Sequence, residues 1–160
     1  MNGTDSFFLP VWRKSTPSGR CLSPRTQITG SPAIAADYLQ AVVRQFDDSE
    51  TDTFVSINLV QEIPGRIKDR ILAELGVACS ARQEAFVIEA GASISIYSPS
   101  PRGLTYGAMA LTRLLVGSRL SVDLAYDSPV CETRGIKIYL PAPQDIDTFK
   151  RLIDMALVYK

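Results

Sequence analysis

The run from Glu84 to Leu115, EAFVIEAGASISIYSPSPRGLTYGAMALTRLL, restricts the fold more than any other part of the chain. Its apolar period changes once. Phe86 and Ile88 alternate with their neighbours, Gly91-Ala92 interrupts the alternation, and Ile94 and Ile96 resume it. Glu84 to Ala90 and Ser93 to Tyr97 therefore read as the two strands of a β-hairpin. Past Ser98 the spacing becomes helical. Ser100 or one of its neighbours stands where an N-cap belongs, and Pro101 falls in the first turn, where its missing N–H costs nothing. Leu104, Ala108, Leu111 and Leu115 then share one face, widened by Met109 and Leu114. Gly103 and Gly107 are spaced to let this helix approach another backbone closely. No Lys-Ser or Lys-Thr follows these glycines, so the string is read as a helix start and not as a phosphate cradle.

The same two periods recur along the rest of the chain. The first thirty residues, rich in Pro, Ser, Gly and Arg around FFLPVW and RTQIT, predict an irregular segment with one or two short strands. Ser31 reads as an N-cap and Pro32 as the first residue of a helix whose stripe is Ile34, Tyr38, Val42 and Phe46. Thr53 to Val60 predicts a strand with Val55, Ile57 and Leu59 on one side and Ser56 and Asn58 on the other. Pro64 to Leu75 predicts an amphipathic helix, with Ile67, Ile71, Leu72 and Leu75 inward and Gly76 as its C-cap. Leu120 to Ala125 is a short strand, and Asp127-Ser128-Pro129 a turn. Arg134 to Leu140 alternates again, and Asp145 opens a last helix with Ile146, Phe149, Leu152, Ile153, Ala156 and Leu157 on one face. These elements compose an α+β (α/β two-layer) fold: a small, mostly antiparallel sheet with helices packed on one face. The final strand and helix form a βα unit with no parallel strand to follow, and such units belong to larger parallel sheets. A second, truncated domain is therefore expected to begin near Thr133.

Composition excludes more chemistry than the motifs supply. With 160 residues, the chain is long enough to bury a core without a disulfide or metal staple. Seventeen basic and 17 acidic side chains balance, so neither nucleic acid nor a membrane surface is an expected partner. No apolar run reaches the roughly 18 residues of a membrane span. No signal peptide is visible at Met1 to Pro10, and a cytoplasmic location is the expectation. There is no histidine, which removes Ser-His-Asp and Cys-His couples and His-ligated zinc. Cys21, Cys79 and Cys131 lie far apart without a Cys-x-x-Cys pair, and read as buried free thiols. The acidic cluster Asp47-Asp48-Ser49-Glu50-Thr51-Asp52 lacks the glycine and terminal glutamate of a calcium loop and reads as a solvated turn. No cofactor or metal is expected.

The order of pieces from Glu84 onward resembles the N-terminal α/β domain of family 20 glycoside hydrolases, the β-N-acetylhexosaminidases. The likeness rests on Glu84 with Phe86, then Ile94 to Tyr97, then Gly103, Tyr106, Gly107, Leu114 and Leu115, then Asp127-Ser128-Pro129. Arg134-Gly135 with IKIYL resembles the first strand of the family's (β/α)8 barrel, and IDTFKRLIDMALVYK its first helix. The resemblance implies a non-catalytic domain over 1–130 and the start of a truncated catalytic barrel over 131–160. It also implies a parent that hydrolyses terminal N-acetylhexosamine residues, the substrate's acetamido oxygen serving as nucleophile, an Asp orienting it and a Glu acting as general acid/base. That Asp-Glu pair would lie beyond Lys160, so no catalytic residue is expected in this chain. The carbohydrate would meet the barrel, and self-association through the exposed 134–160 segment is the other expected contact. Ala142 stands where many members carry a sugar-binding arginine, and alanine makes no charge-assisted bond to a hydroxyl. Arg134 is the one candidate for substrate binding, with a structural role the favoured alternative. α-Glucuronidases and family 84 glucosaminidases carry a similar small domain before their barrels, and a stand-alone carbohydrate- or protein-binding module is the reading from a different class.

Overall fold

A computed structural model describes residues 12–14, 20–46, 55–129 and 142–158 of the chain. Expectations for Thr53, the acidic cluster 47–52, Cys131, Arg134 and the strand 134–140 fall outside the described residues. Among the described residues the main sheet has six strands. They are β1 (Trp12–Lys14), β2 (Gln27–Gly30), β3 (Ser56–Val60), β4 (Phe86–Ala90), β5 (Ile94–Tyr97) and, numbered last in the chain, β8 (Leu124–Asp127). Their spatial order is β1-β8-β4-β5-β3-β2. The pairs β1–β8, β8–β4 and β4–β5 are antiparallel, whereas β5–β3 and β3–β2 are parallel. The mixed α/β architecture and the predominance of antiparallel pairing agree with the sequence. A second, two-stranded hairpin joins β6 (Leu115–Val116) to β7 (Arg119–Leu120) through Gly117.

Two helices cover one face of the sheet. α1 (Ala33–Val43) and α3 (Pro101–Arg113) press Ala35, Leu39, Val43, Leu104, Ala108 and Leu111 onto Ile57, Leu59, Ile88, Ile94, Ile96 and Ala125. The opposite face carries α2 (Gly65–Leu75), whose Ile67 and Ile71 pack with Val87, Tyr97, Leu124 and Tyr126. Helices on one face only was therefore too simple an expectation. Val87, Tyr97 and Tyr126 put apolar surface on the second side of β4, β5 and β8, and that surface needs a cover as the first does. β5 and β8 are buried at every position, whereas β3 keeps the simple alternation expected of it.

α1 corrects a second expectation. Pro32, extended at ψ 157°, takes the N-cap position, and no side chain caps this helix. Its buried stripe is Ala35, Leu39 and Val43, one residue on from the expected one, while Ile34 is 68% exposed. Tyr38 and Phe46 lie half-buried at its margin. Both stripes are apolar in the sequence, and packing chooses the one in which small Ala35 lies against the core. In α2, Gly76 ends the helix in the left-handed conformation at φ 70°, as expected, but Leu72 faces water at 57% exposure. The strand expected over Leu120–Ala125 is split, since Ser121 N–H and hydroxyl both donate to the Leu114 carbonyl and draw the chain out of the ladder.

α3 is seated on the sheet through its glycines. Ser100 caps it by accepting from Gly103 N at 3.2 Å, with Pro101 in the first turn. A Cβ on Gly103 would fall 2.0 Å from Ser98 Oγ and 2.9 Å from the Ala85 carbonyl oxygen. On Gly107 it would fall 2.5 Å from Ile96 Cγ2. The expected close approach is thus to the hairpin itself. Beyond it a 3-10 turn (Pro143–Asp145) leads into α4 (Ile146–Val158), which packs against α3. Phe149, Leu152 and Ala156 are half-buried there, while Ile146, Ile153 and Met155 remain 47–48% exposed. Neither core cluster draws a residue from α4.

Two outcomes are expected. Gly107→Leu forces Ile96 or the helix to move and should cost about 1–3 kcal/mol or more, whereas Glu50→Ala should change the denaturation midpoint little. Equal shifts in urea melts would overturn the placement of α3. Ending the chain after Val130 should leave a cooperative unfolding transition, because both cores survive the cut. A noncooperative melt would make α4 part of the first folding unit.

Candidate functional site

A concavity lies where the start of β4, the first turn of α3 and the end of β8 meet. It encloses ≈ 700 Å³ and is lined by Arg82, Gln83, Glu84, Ser100, Arg102 and Pro129 among others. Hairpin and helix build it together: Ser98, fully buried, donates to the Ala85 carbonyl at 2.7 Å, and Ser100 Oγ donates to the Gln83 carbonyl. Those two hydroxyls pin the strand entrance to the helix start. Glu84, 14% exposed at its side chain, accepts from Arg102 Nη1 at 2.8 Å. That hydrogen bond raises the guanidinium further above its ordinary range. Arg82 Nη1 donates to the Pro129 carbonyl at 2.7 Å, holding the point where the chain leaves β8.

Chemically the notch is quiet. Glu84 is its one lining carboxylate among the described residues, and a basic side chain already neutralises it. Two-carboxylate glycoside hydrolysis needs a second acid about 5–9.5 Å away. The arrangement fixes geometry and supplies no acid/base pair. A second polar cluster surrounds Glu89 on the α2 side. Its carboxylate accepts from Arg70 Nη1 at 2.7 Å and from Tyr97 OH at 3.1 Å, and Tyr97 OH in turn accepts from Arg66 Nη2 at 3.0 Å. Glu74 bonds Arg70 Nε at 2.7 Å and, ahead of Glu89, holds that guanidinium above its usual range. The cluster fastens α2 to the sheet.

The thiols follow the same pattern. Cys21 is buried with its Sγ 2.9 Å from Ser118 Oγ. Cys79 is half-buried, and desolvation pushes its thiol up despite the opposing charge of Lys68. Burial likewise raises Tyr126, whose hydroxyl accepts from Ser80 N at 2.7 Å. No group of three or more metal-ligating side chains occurs among the described residues. Arg134 lies outside the described residues. Ala142 is exposed at the start of the 3-10 turn. Sequence reading missed the Glu84–Arg102 pair. Its partners are 18 positions apart, and only the hairpin brings them together.

No protein-family model matches the chain, and no curated protein matches it in sequence. Solved structures do match. CpGH84B superposes with a TM-score of 0.57 at 19% identity, over 89% of this chain and 26% of that one. CpGH84D gives 0.46 at 15% identity, over 74% and 22%. A glycoside hydrolase family 20 β-N-acetylglucosaminidase gives 0.39 at 22% identity, over 72% and 22%. The likeness to CpGH84B establishes a shared fold, and this chain spans about a quarter of that structure's length.

Cys79, outside the notch, gives a direct check on burial beside the α2-side cluster. Because its thiol is raised, the thiolate fraction at neutral pH is below that of a free cysteine and grows as pH rises. Iodoacetamide labelling read by mass spectrometry should therefore show a midpoint above that of a cysteine peptide. A midpoint at or below the peptide's would contradict the burial assigned to this side chain.

Proposed function

We propose that this chain is the non-catalytic N-terminal α/β portion of a glycoside hydrolase. The parent hydrolyses terminal N-acetylhexosamine residues by the substrate-assisted retaining route. The observation that carries the proposal is the shared fold with CpGH84B, which spans most of this chain and a minor part of the other. The residues behind the family resemblance lend support of a second kind. Phe86, Gly103 and Gly107 sit at the seam between hairpin and helix, and Glu84 bonds the helix's first turn. That string therefore reports a packing solution that a domain of this type has to keep. Family 84, the runner-up in the sequence, is supported as a parent by the superposition with CpGH84B, and family 20 stays beside it on the residues of the resemblance. On this proposal 1–130 is the α/β domain and 131–160 opens the catalytic barrel. α4 is then the first barrel helix, its half-exposed Ile146, Ile153 and Met155 facing partners within the barrel wall or a second copy of the chain.

The chain by itself should be silent. It has no histidine, and its notch holds one neutralised carboxylate. Assays with chromogenic N-acetylglucosaminide and N-acetylgalactosaminide across pH 4–9 should show no turnover above buffer. A longer polypeptide that joins this chain to a catalytic barrel should turn these substrates over. Turnover that copurifies with the 160-residue chain, or a continuation without an Asp-Glu pair in a barrel, would sink the proposal.

A further inference from the structure

α2 is held to the sheet in a different way from α1 and α3. Its buried side chains are Ile67 and Ile71, and Leu72 faces water. α3 by contrast buries Leu104, Ala108, Met109, Ala110 and Leu111 together with both of its glycines. The two apolar clusters share no residue, so the one under α1 and α3 does not include α2. A further neighbour of α2 is β1, a three-residue strand at the edge of the sheet. The polar half of its attachment converges on one side chain. Glu89, 14% exposed, accepts from Arg70 Nη1 at 2.7 Å and from Tyr97 OH at 3.1 Å, and Arg66 lies 3.5 Å from the same carboxylate. Both guanidiniums come from α2, one turn apart, and Glu89 comes from β4.

α2 is also a helix that its own sequence does little to hold. It has 11 residues, and isolated helices shorter than about 12–15 residues are marginal in water. Gly65 opens it, and no side chain caps it. Arg66 and Lys68 stand at the positive end of its dipole and Glu74 at the negative end, each the unfavourable choice. Even its internal ion pair, Arg70 to Glu74 at 2.7 Å, runs in the weaker i, i+4 orientation, with the base first. α3 differs at both ends: Ser100 caps it, and Arg113 lies in its last turn. On the sheet, Glu89 supplies the negative charge that the first turn of α2 lacks. Off the sheet, little remains to keep α2 helical, so undocking and unwinding are one event.

The strands beneath can survive that event. β4, β5 and β8 are joined by antiparallel pairs, which tolerate water on one face when the other is packed. Their packed face stays covered by α1 and α3 through Phe86, Ile88, Ile96 and Ala125. Regions held by few buried apolar side chains open at lower free energy than the core around them. We infer that α2 is a detachable cover with Glu89 as its latch: it leaves the sheet and unwinds as one unit while α1, α3, β2, β3, β4, β5 and β8 stay folded. Opening uncovers Val87, Tyr97, Leu124 and Tyr126 together. It also loosens the surroundings of Cys79, which packs at the margin of that cluster.

The test is native-state hydrogen exchange of the 160-residue chain in urea kept below its unfolding midpoint. Amides from Asp69 to Gly76 should exchange at least about tenfold faster than those from Ala108 to Leu114, through an opening that depends weakly on urea. Glu89→Gln keeps the shape and removes the charge. It should speed exchange in α2 by a further factor of about ten and leave α3 unchanged. Arg66→Gln alters a side chain that is 65% exposed, so it keeps the fold if Glu89→Gln does not, and it should act in the same direction to a smaller degree. Iodoacetamide should label Cys79 faster in both variants, with Cys21, beside Ser118, unaffected. α2 amides that share the rate and urea dependence of α3 would overturn the inference. So would variants that speed α2 and α3 equally, or that leave α2 unchanged.

Discussion

The seating of α3 on the hairpin is the constraint from which the remaining architecture follows. Gly103 and Gly107 bring the helix backbone nearer to β5 and to the entrance of β4 than any side chain would permit. Ser98 fills the space so created, and both its hydrogen bonds are made there, to the Ala85 carbonyl and from Ser100 N. Cap, glycine and strand end thereby interlock, and none can be altered without the others. Once α3 is fixed, α1 has a groove to occupy, and Tyr38 OH meets Thr112 Oγ1 at 3.1 Å across it. The Ser121 tether to the end of α3 then fixes where β8 begins, and hence where β1 pairs.

How far the sequence could foretell this depends on how many interpretations each segment permits. The hairpin, the Ser100 cap and the Gly76 stop were legible because each needs a particular residue type at one position. The stripe of α1 was not, since AIAADYLQAVV is apolar on two overlapping faces and only packing chooses between them. The second covered face of the sheet was hidden for a related reason. Tyr97 and Tyr126 carry hydroxyls that suggest an outward position, yet both rings are buried and their hydroxyls find partners at the rim. Of the candidate site, Glu84 was visible as part of a motif, but its partner Arg102 was not, because a contact across a hairpin and a helix turn leaves no local period.

The described ion pairs show how this fold uses its charge. Glu84, Glu89 and Glu74 each meet a guanidinium; the Glu84 and Glu89 pairs join separate elements at the rim of the core, and the Glu74 pair lies within α2. Carboxylates used this way are anchored and compensated, the opposite of a poised general acid, which needs a dry pocket or a like charge nearby to raise its pKa. Fold likeness speaks to architecture, while activity has to be argued from the residues of a site.

The pairing of β1 with β8 sets an order of events during synthesis. Trp12, Arg13 and Lys14 lie in register with Tyr126, Ala125 and Leu124, so among the described residues the earliest strand of the sheet joins the latest. It has no partner in the main sheet until nearly the whole domain has left the ribosome. The parallel β2–β3 ladder and the β4–β5 hairpin, by contrast, link segments that emerge much closer together. The nascent chain therefore passes through a stage in which a partial sheet ends at β4 with an open edge. Loop-closure entropy makes the closing step slow relative to the local ones. A chaperone that holds the N-terminal segment apart during that interval would protect the edge that β8 and then β1 later occupy.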